Sequence, residues 1–204
     1  AFYVSPFESA GILTVGVPSI AKVFSPNPVQ LGQPSTLTFT LSNGTNTAMT
    51  AVAFTDNLPA LPQQMVVATP STTSNTCGGT FTANAGATSV NLTGGTIPAN
   101  SSCTVTVVVS VPINGTAIGT YNNVSGAISA AGPLTGNTAS ASLVVTQAVP
   151  SVNKTFAGAL TVGGTQTLTF TVTQPNGNPT QTFSFTDDLP AGLVVATPST
   201  VGGT

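Results

Sequence analysis

Apolar and polar residues alternate with a period of two along most of this chain. Leu37, Phe39 and Leu41 alternate with Thr36, Thr38 and Thr40. Cys103, Val105, Val107, Val109 and Val111 alternate with Thr104, Thr106, Val108 and Ser110, and Ala139, Ala141, Leu143 and Val145 with Ser140, Ser142, Val144 and Thr146. Successive side chains of a strand point to opposite faces, so each run offers one face to a core and one hydroxyl-rich face to water. Further strands are predicted at about 19–24, 50–55, 64–68, 88–93 and 119–129. Pro and Gly clusters at 25–28, 58–62, 93–95, 112–115 and 131–133 separate them. Helical periodicity is absent. Many short strands at this spacing predict an all-β fold, a sandwich of two antiparallel sheets.

The pattern also repeats. Pro18-Ser-Ile-Ala-Lys22-Val-Phe24 returns as Pro150-Ser-Val-Asn-Lys154-Thr-Phe156, and Leu37-Thr-Phe-Thr-Leu41 as Leu168-Thr-Phe-Thr-Val172. Phe54-Thr-Asp56-Asn-Leu-Pro59 returns as Phe185-Thr-Asp187-Asp-Leu-Pro190, and Val66 to Thr72 returns unchanged as Val194 to Thr200. The offset shrinks from 132 (150 − 18) to 128 (194 − 66), so the second copy has shorter loops. Three segments follow: an N-terminal arm over 1–17, a complete repeat over 18–149, and a partial second repeat over 150–204, for which about four strands are predicted. Gly11 to Val17 precedes the first unit as Ser142 to Val149 precedes the second, so the arm reads as a final strand without its own domain.

Charge then narrows the function. Only 3% of the residues are charged, the net charge is −2, and His is absent. Two basic residues cannot neutralise a nucleic-acid backbone or hold a polybasic membrane patch. No stretch approaches 18 consecutive apolar residues, so no membrane span is expected. A hydrolase triad lacks its His, four carboxylates are too sparse for a calcium site, and the chain is expected to be no enzyme and to need no metal or cofactor.

The charges that remain occupy repeat positions. Lys22 and Lys154 are equivalent, as are Asp56 and Asp187. Strand parity places Lys22 with Ile20 and Phe24, and Asp56 with Val52 and Phe54, so both point at the core; Lys154 and Asp187 follow the same pattern. Burial favours the neutral, nucleophilic form of an amine and the protonated form of a carboxyl. The arrangement resembles the self-formed Lys–Asn isopeptide bond of Gram-positive pilin and adhesin domains. That resemblance implies Lys22 as nucleophile, Asp56 as proton shuttle, and Asn123 or Asn137 as acceptor. The alternative is a buried Lys–Asp ion pair, with Asp56 also capping the turn before Leu58-Pro59.

Cys77 and Cys103 are either a free buried pair or a disulfide, and the extracellular character of the composition favours the disulfide. Gly78-Gly79 lets the neighbouring backbone come close. Six Asn-x-Ser/Thr sequons, at Asn43, Asn91, Asn100, Asn114, Asn123 and Asn153, offer positions for glycans.

In order along the chain, Lys22-Val-Phe24-Ser-Pro26, Gly32, Leu37 to Asn43, Phe54 to Pro59, Thr76-Cys-Gly-Gly79, Ile97 to Cys103, Gly119-Thr-Tyr-Asn-Asn123 and Ala141 to Val145 resemble the bacterial and archaeal surface-protein repeats of the domain-of-unknown-function-eleven type. The resemblance implies tandem Ig-like antiparallel β-sandwiches, the second incomplete here, on secreted or cell-surface proteins without enzymatic activity. The expected function is a structural subunit of an extracellular filament or surface fibre, with an adhesion module of a large surface protein as the alternative. The expected partner is the chain itself. The apolar arm residues Ile12, Leu13, Val15 and Val17 of one subunit would add to the face of Phe170, Phe183 and Phe185 in the next, in the manner of donor-strand fibres.

Overall fold

A computed structural model describes residues 16–113 and 117–203. The described strands are β1 (Ser19–Ser25), β2 (Val29–Gln30), β3 (Ser35–Asn43), β4 (Met49–Asn57), β5 (Val66–Val67), β6 (Thr73–Asn75), β7 (Thr80–Thr82) and β8 (Ser89–Ile97). They continue as β9 (Ser101–Ser110), β10 (Gly119–Val124), β11 (Ser129–Ala130), β12 (Leu134–Thr135), β13 (Ser140–Thr146), β14 (Ser151–Phe156) and β15 (Leu168–Thr173). The fold is all-β, built from mainly antiparallel ladders, with no helix among the described residues.

Residues 19–146 form three ladders. One runs β1-β3-β9-β5, with β6 also on β9; a second runs β12-β11-β4-β8-β7; a third runs β10-β13-β2. Pairing is antiparallel except between β13 and β2, where Val145 faces Val29 in parallel. The alternation read from the sequence is the alternation observed. Leu37, Phe39 and Leu41 of β3 and Val105, Val107 and Val109 of β9 are fully buried, and Val52 and Phe54 of β4 and Val90 and Leu92 of β8 meet them. Phe39 and Phe54 join the two layers, their ring centroids 4.8 Å apart.

One departure from strict alternation has a visible cause. Met49 and Val52 are three residues apart yet both buried. The β4–β8 register shifts between them, and Ala51 sits at φ 51°. A bulge of this kind inserts one residue and returns the following side chains to the inner face. Beyond it, Phe54 and Asp56 keep inward parity.

The second unit is thinner than expected. Instead of about four strands, the described residues form two, β14 and β15, which pair from Ser151↔Thr173 to Phe156↔Leu168. The segment 183–188, which repeats β4, is not a strand. In the first unit β4 is held between β8 and β11, and a ladder needs such neighbours. The arm residues Ile12, Leu13 and Val15 lie outside the described residues; Val17 is described, is not in a strand and is exposed.

Candidate functional site

Three side chains from three strands meet inside the first sandwich. Lys22 enters from β1, where it pairs with Phe39 of β3. Asp56 enters from the end of β4, and Asn123 from β10. The Lys22 Nζ donates to Asp56 Oδ1 at 2.8 Å and to Asn123 Oδ1 at 2.5 Å. The Asn123 Nδ2 donates to Asp56 Oδ2 at 2.8 Å. One carboxylate oxygen therefore holds the amine and the other holds the amide nitrogen. The side chains of Lys22 and Asp56 are wholly buried, and Asn123 is 1% exposed. The Phe39 ring lies 5.9 Å from Nζ.

Burial pushes the Lys22 amine below its ordinary range, and the hydrogen bond and charge of Asp56 only partly oppose this. The neutral amine is the nucleophilic form. It stands within hydrogen-bond reach of an amide carbonyl whose nitrogen already points at a carboxyl group. Nucleophile, acceptor and proton carrier are in contact, which is the geometry acyl transfer needs.

The sequence left two acceptors open, and the geometry separates them. Asn137 is engaged elsewhere: its Oδ1 accepts from the Ile20 backbone N–H at 2.9 Å and its Nδ2 donates to the Ile20 carbonyl at 2.8 Å. It fastens the start of β1. Asn123 alone touches both Lys22 and Asp56.

Two supporting residues escaped the sequence reading. Tyr121, two positions before Asn123 and on the same face, is fully buried, and its hydroxyl donates to the Ala117 carbonyl at 2.7 Å. Burial pushes its pKa up. Ser125 forms a bridge with Asp56, and its Oγ accepts from the Ala139 backbone N–H at 2.9 Å. The Asp56–Ser125 bridge joins the residue after β10 to the end of β4. The signal was available: Tyr121, Asn123 and Ser125 share one parity.

Cys77 and Cys103 are joined in a disulfide, with Cα atoms 5.0 Å apart. Gly79 is where the close approach occurs: a Cβ there would lie 2.3 Å from the Thr93 carbonyl oxygen. Two sequons are corrected as glycan positions. Asn123 belongs to the buried cluster, and Asn43 is 2% exposed, its amide spent on the carbonyls of Thr47, Ile97 and Pro98. Asn114 lies outside the described residues. Among those residues no group of three or more His, Cys, Asp or Glu could hold a metal ion, and no helix is long and apolar enough to cross a membrane.

The second unit repeats part of the site. Lys154 Nζ donates to Asp187 Oδ1 at 2.6 Å, and Phe170 and Phe185 stack at 4.9 Å as their counterparts do. Their surroundings differ, since Phe183 and Phe185 are 42% and 50% exposed.

Among solved structures, a cohesin module from a Clostridium perfringens ATCC13124 family 33 glycoside hydrolase is similar at 12% identity and a TM-score of 0.45, over 66% of this chain and 99% of that one. The major pilin subunit of Bacillus cereus is similar at 10% identity and a TM-score of 0.48, over 79% of this chain and 56% of that one. No curated protein matches the chain. The family model that matches is not the domain-of-unknown-function-eleven type which the motif order resembles. It is DUF7933, a domain of unknown function, matched over residues 18–145 and again over 150–204, and the chain belongs to that family.

Proposed function

We propose that this chain is a structural module of an extracellular filament or surface fibre, and that its complete sandwich closes itself with an isopeptide bond between Lys22 and Asn123. The observation that carries this reading is the buried triangle of Lys22, Asp56 and Asn123. In a chain with 3% charged residues, an amine and a carboxylate are placed in the core in contact with an amide. A buried ion pair is a poor source of net stability by itself. A covalent tie between β1 and β10 is a large one.

The chemistry balances. The Lys22 ammonium passes a proton to Asp56 Oδ1, and its nitrogen attacks Asn123 Cγ. The new N–Cγ bond forms as the carbonyl electrons move to Oδ1. The Asp56 carboxyl delivers that proton to Nδ2, the carbonyl re-forms as the Cγ–Nδ2 bond breaks, and the second proton lost by the Lys22 nitrogen passes through the carboxylate to the departing ammonia, which leaves as ammonium. The carboxylate is regenerated, no redox partner is needed, and there is no turnover, which suits a structural part rather than an enzyme.

Assembly would run head to tail. The second unit leaves Val152, Phe156, Phe183 and Phe185 in water, and burying such side chains is worth roughly 1.5–3 kcal/mol each. The arm of a neighbouring subunit is an apolar strand suited to that face, and a heterologous contact of this kind propagates. Deleting residues 1–17 should abolish polymers and leave the first sandwich folded.

The deciding measurement for the bond is intact mass under denaturing conditions. The oxidised chain should be lighter than its disulfide-corrected sequence mass by one ammonia, and tandem fragmentation should join Lys22 to Asn123. An unchanged mass would leave only the ion pair and overturn the covalent reading.

A further inference from the structure

The first proline of each repeat follows a short extended segment, because the residue before a proline is driven out of the helical region. Pro18 follows Gly16-Val17, and Pro150 follows Gln147-Ala-Val149. An extended segment outside a ladder still carries a backbone donor and acceptor that need partners. At Ala148 one side chain supplies both. The Ala148 N–H donates to Asn178 Oδ1 at 3.1 Å, and Asn178 Nδ2 donates to the Ala148 carbonyl at 2.7 Å. A side-chain amide presents donor and acceptor side by side, as a peptide unit does, so Asn178 acts as one rung of a ladder. The device recurs in this chain. Asn137 grips Ile20 in the same two-point manner, and Asn27 takes the Val144 N–H at 2.9 Å and the Ser142 carbonyl at 2.8 Å.

Asn178 sits in the loop that follows β15, and that loop is itself held. Gln174 Nε2 donates to the Pro179 carbonyl at 2.7 Å, much as Asn43 Nδ2 donates to the Thr47 carbonyl at 2.8 Å in the first unit. The flanking motifs share one offset of 131 (168 − 37 and 185 − 54), so Gln174 repeats Asn43 and Asn178 repeats Thr47. Beside the rung, Gln181 Nε2 donates to Gln147 Oε1 at 2.6 Å. Upstream, the first unit holds the chain as far as Thr146, whose carbonyl accepts from the Leu31 N–H at 2.8 Å and which pairs with Gln30 of β2. The hold therefore passes from one unit to the next between adjacent residues. The first unit treats its own entry alike. Gly16 stands two residues before Pro18, as Ala148 stands before Pro150, and a Cβ on it would lie 2.2 Å from Thr45 Cγ2 of the equivalent loop.

We infer that the loop over residues 174–181 is an orientation clasp, which grips the incoming backbone at Ala148 and fixes the angle between consecutive repeats. Units joined by a few residues move against each other by default. Here two amide side chains remove that freedom. What Asn178 recognises is the peptide backbone, so the junction should tolerate a change of side chain at 148 but not loss of the amide at 178. The clasp is independent of any bond between Lys22 and Asn123, and it would make an array of these repeats a rod with set joints.

The test is made on the full chain with nitroxide labels at Thr135→Cys and Thr169→Cys, exposed positions on β12 and β15. The native cysteines are paired and take no label. Double electron–electron resonance should give one narrow distance distribution. Inserting Gly-Ser-Gly between Thr146 and Gln147 leaves the clasp intact and should broaden that distribution by on the order of 10 Å. Asn178→Ala should broaden it too, and hydrogen exchange at the Ala148 amide should speed up by on the order of tenfold, while the β14–β15 ladder keeps its protection. A broad distribution in the labelled parent overturns the inference, as does an Asn178→Ala chain that stays as narrow as its parent. If Asn178→Ala melts the β14–β15 ladder, Asn178→Asp decides, because its carboxylate keeps the acceptor for the Ala148 N–H and loses the donor to the carbonyl. Broadening with an intact ladder then supports the clasp, and an unchanged width rejects it.

Discussion

Replacing Asn123 with Ala should change how far the first sandwich can be stretched, by an amount set by its topology. In an array of such units, tension would enter the sandwich at β1 and leave at β13. With Lys22 bonded to Asn123, the load crosses from β1 to β10 and bypasses the chain between them, a separation of 101 residues. At about 3.4 Å per extended residue, that hides on the order of 340 Å of chain. The disulfide ties off 26 of those residues, worth about 90 Å. Asn123→Ala should therefore lengthen the unfolding step by about 250 Å when oxidised and about 340 Å when reduced. Single-molecule force spectroscopy with and without reductant reads both lengths. The same substitution removes a cross-link closing a loop of that size, worth about 4–5 kcal/mol in the chain-entropy model. For a unit of this length the thermal midpoint should fall by on the order of 15 °C. A wild-type step as long as that of Asn123→Ala would refute the bypass, and with it the bond.

Three further outcomes follow from the geometry. Breaking the disulfide by Cys77→Ala with Cys103→Ala should cost about 3.5 kcal/mol in the chain-entropy model, read by denaturant titration, and no thiol should react with an alkylating agent before reduction. In the Asn123→Ala chain, Lys22 keeps an amine whose pKa lies below its ordinary 10.5, so between those values the unfolded chain binds more protons and stability should rise with pH. Above about pH 10 the raised Tyr121 pKa acts oppositely, because the unfolded phenol loses its proton first; urea melts at stepped pH test both slopes. Gly79→Ala should cost on the order of 3 kcal/mol, because the new Cβ meets backbone at 2.3 Å while φ is +66°. Gly78→Ala, at the same φ but with open space around it, should cost about 1–2 kcal/mol.

The long strands were legible because alternation needs length to show. β3 and β9 announce themselves over nine and ten residues. β2, β11 and β12 have two residues each, too few for a period, and the sequence gives no sign of the parallel β13–β2 pairing. Predicted strand 119–129 proves to be two elements, since Gly126 turns away to bond the Thr55 carbonyl. Parity carried Lys22 and Asp56 to the right side of the sheet. It could equally have chosen between the acceptors, because Asn123 lies in register with buried Tyr121, whereas Asn137 precedes its strand. The different environment of Lys154 was not legible, because equivalent residues in a repeat share their sequence but not their neighbours.

The disulfide and the proposed Lys22–Asn123 bond would be nested: the Cys77–Cys103 loop lies wholly inside the span from Lys22 to Asn123. For an extracellular fibre, the hazard that such nesting would answer is enzymatic nicking. Leu61, 78% exposed in the Pro-rich turn after β4, is the sort of site a protease reaches first. A cut there would divide an ordinary chain in two. With the proposed bond formed, the ends on either side would stay joined through Lys22 and Asn123. A second cut between residues 77 and 103 would still release nothing, because the disulfide would hold the severed piece. A fibre built from such units could be nicked repeatedly and remain one molecule.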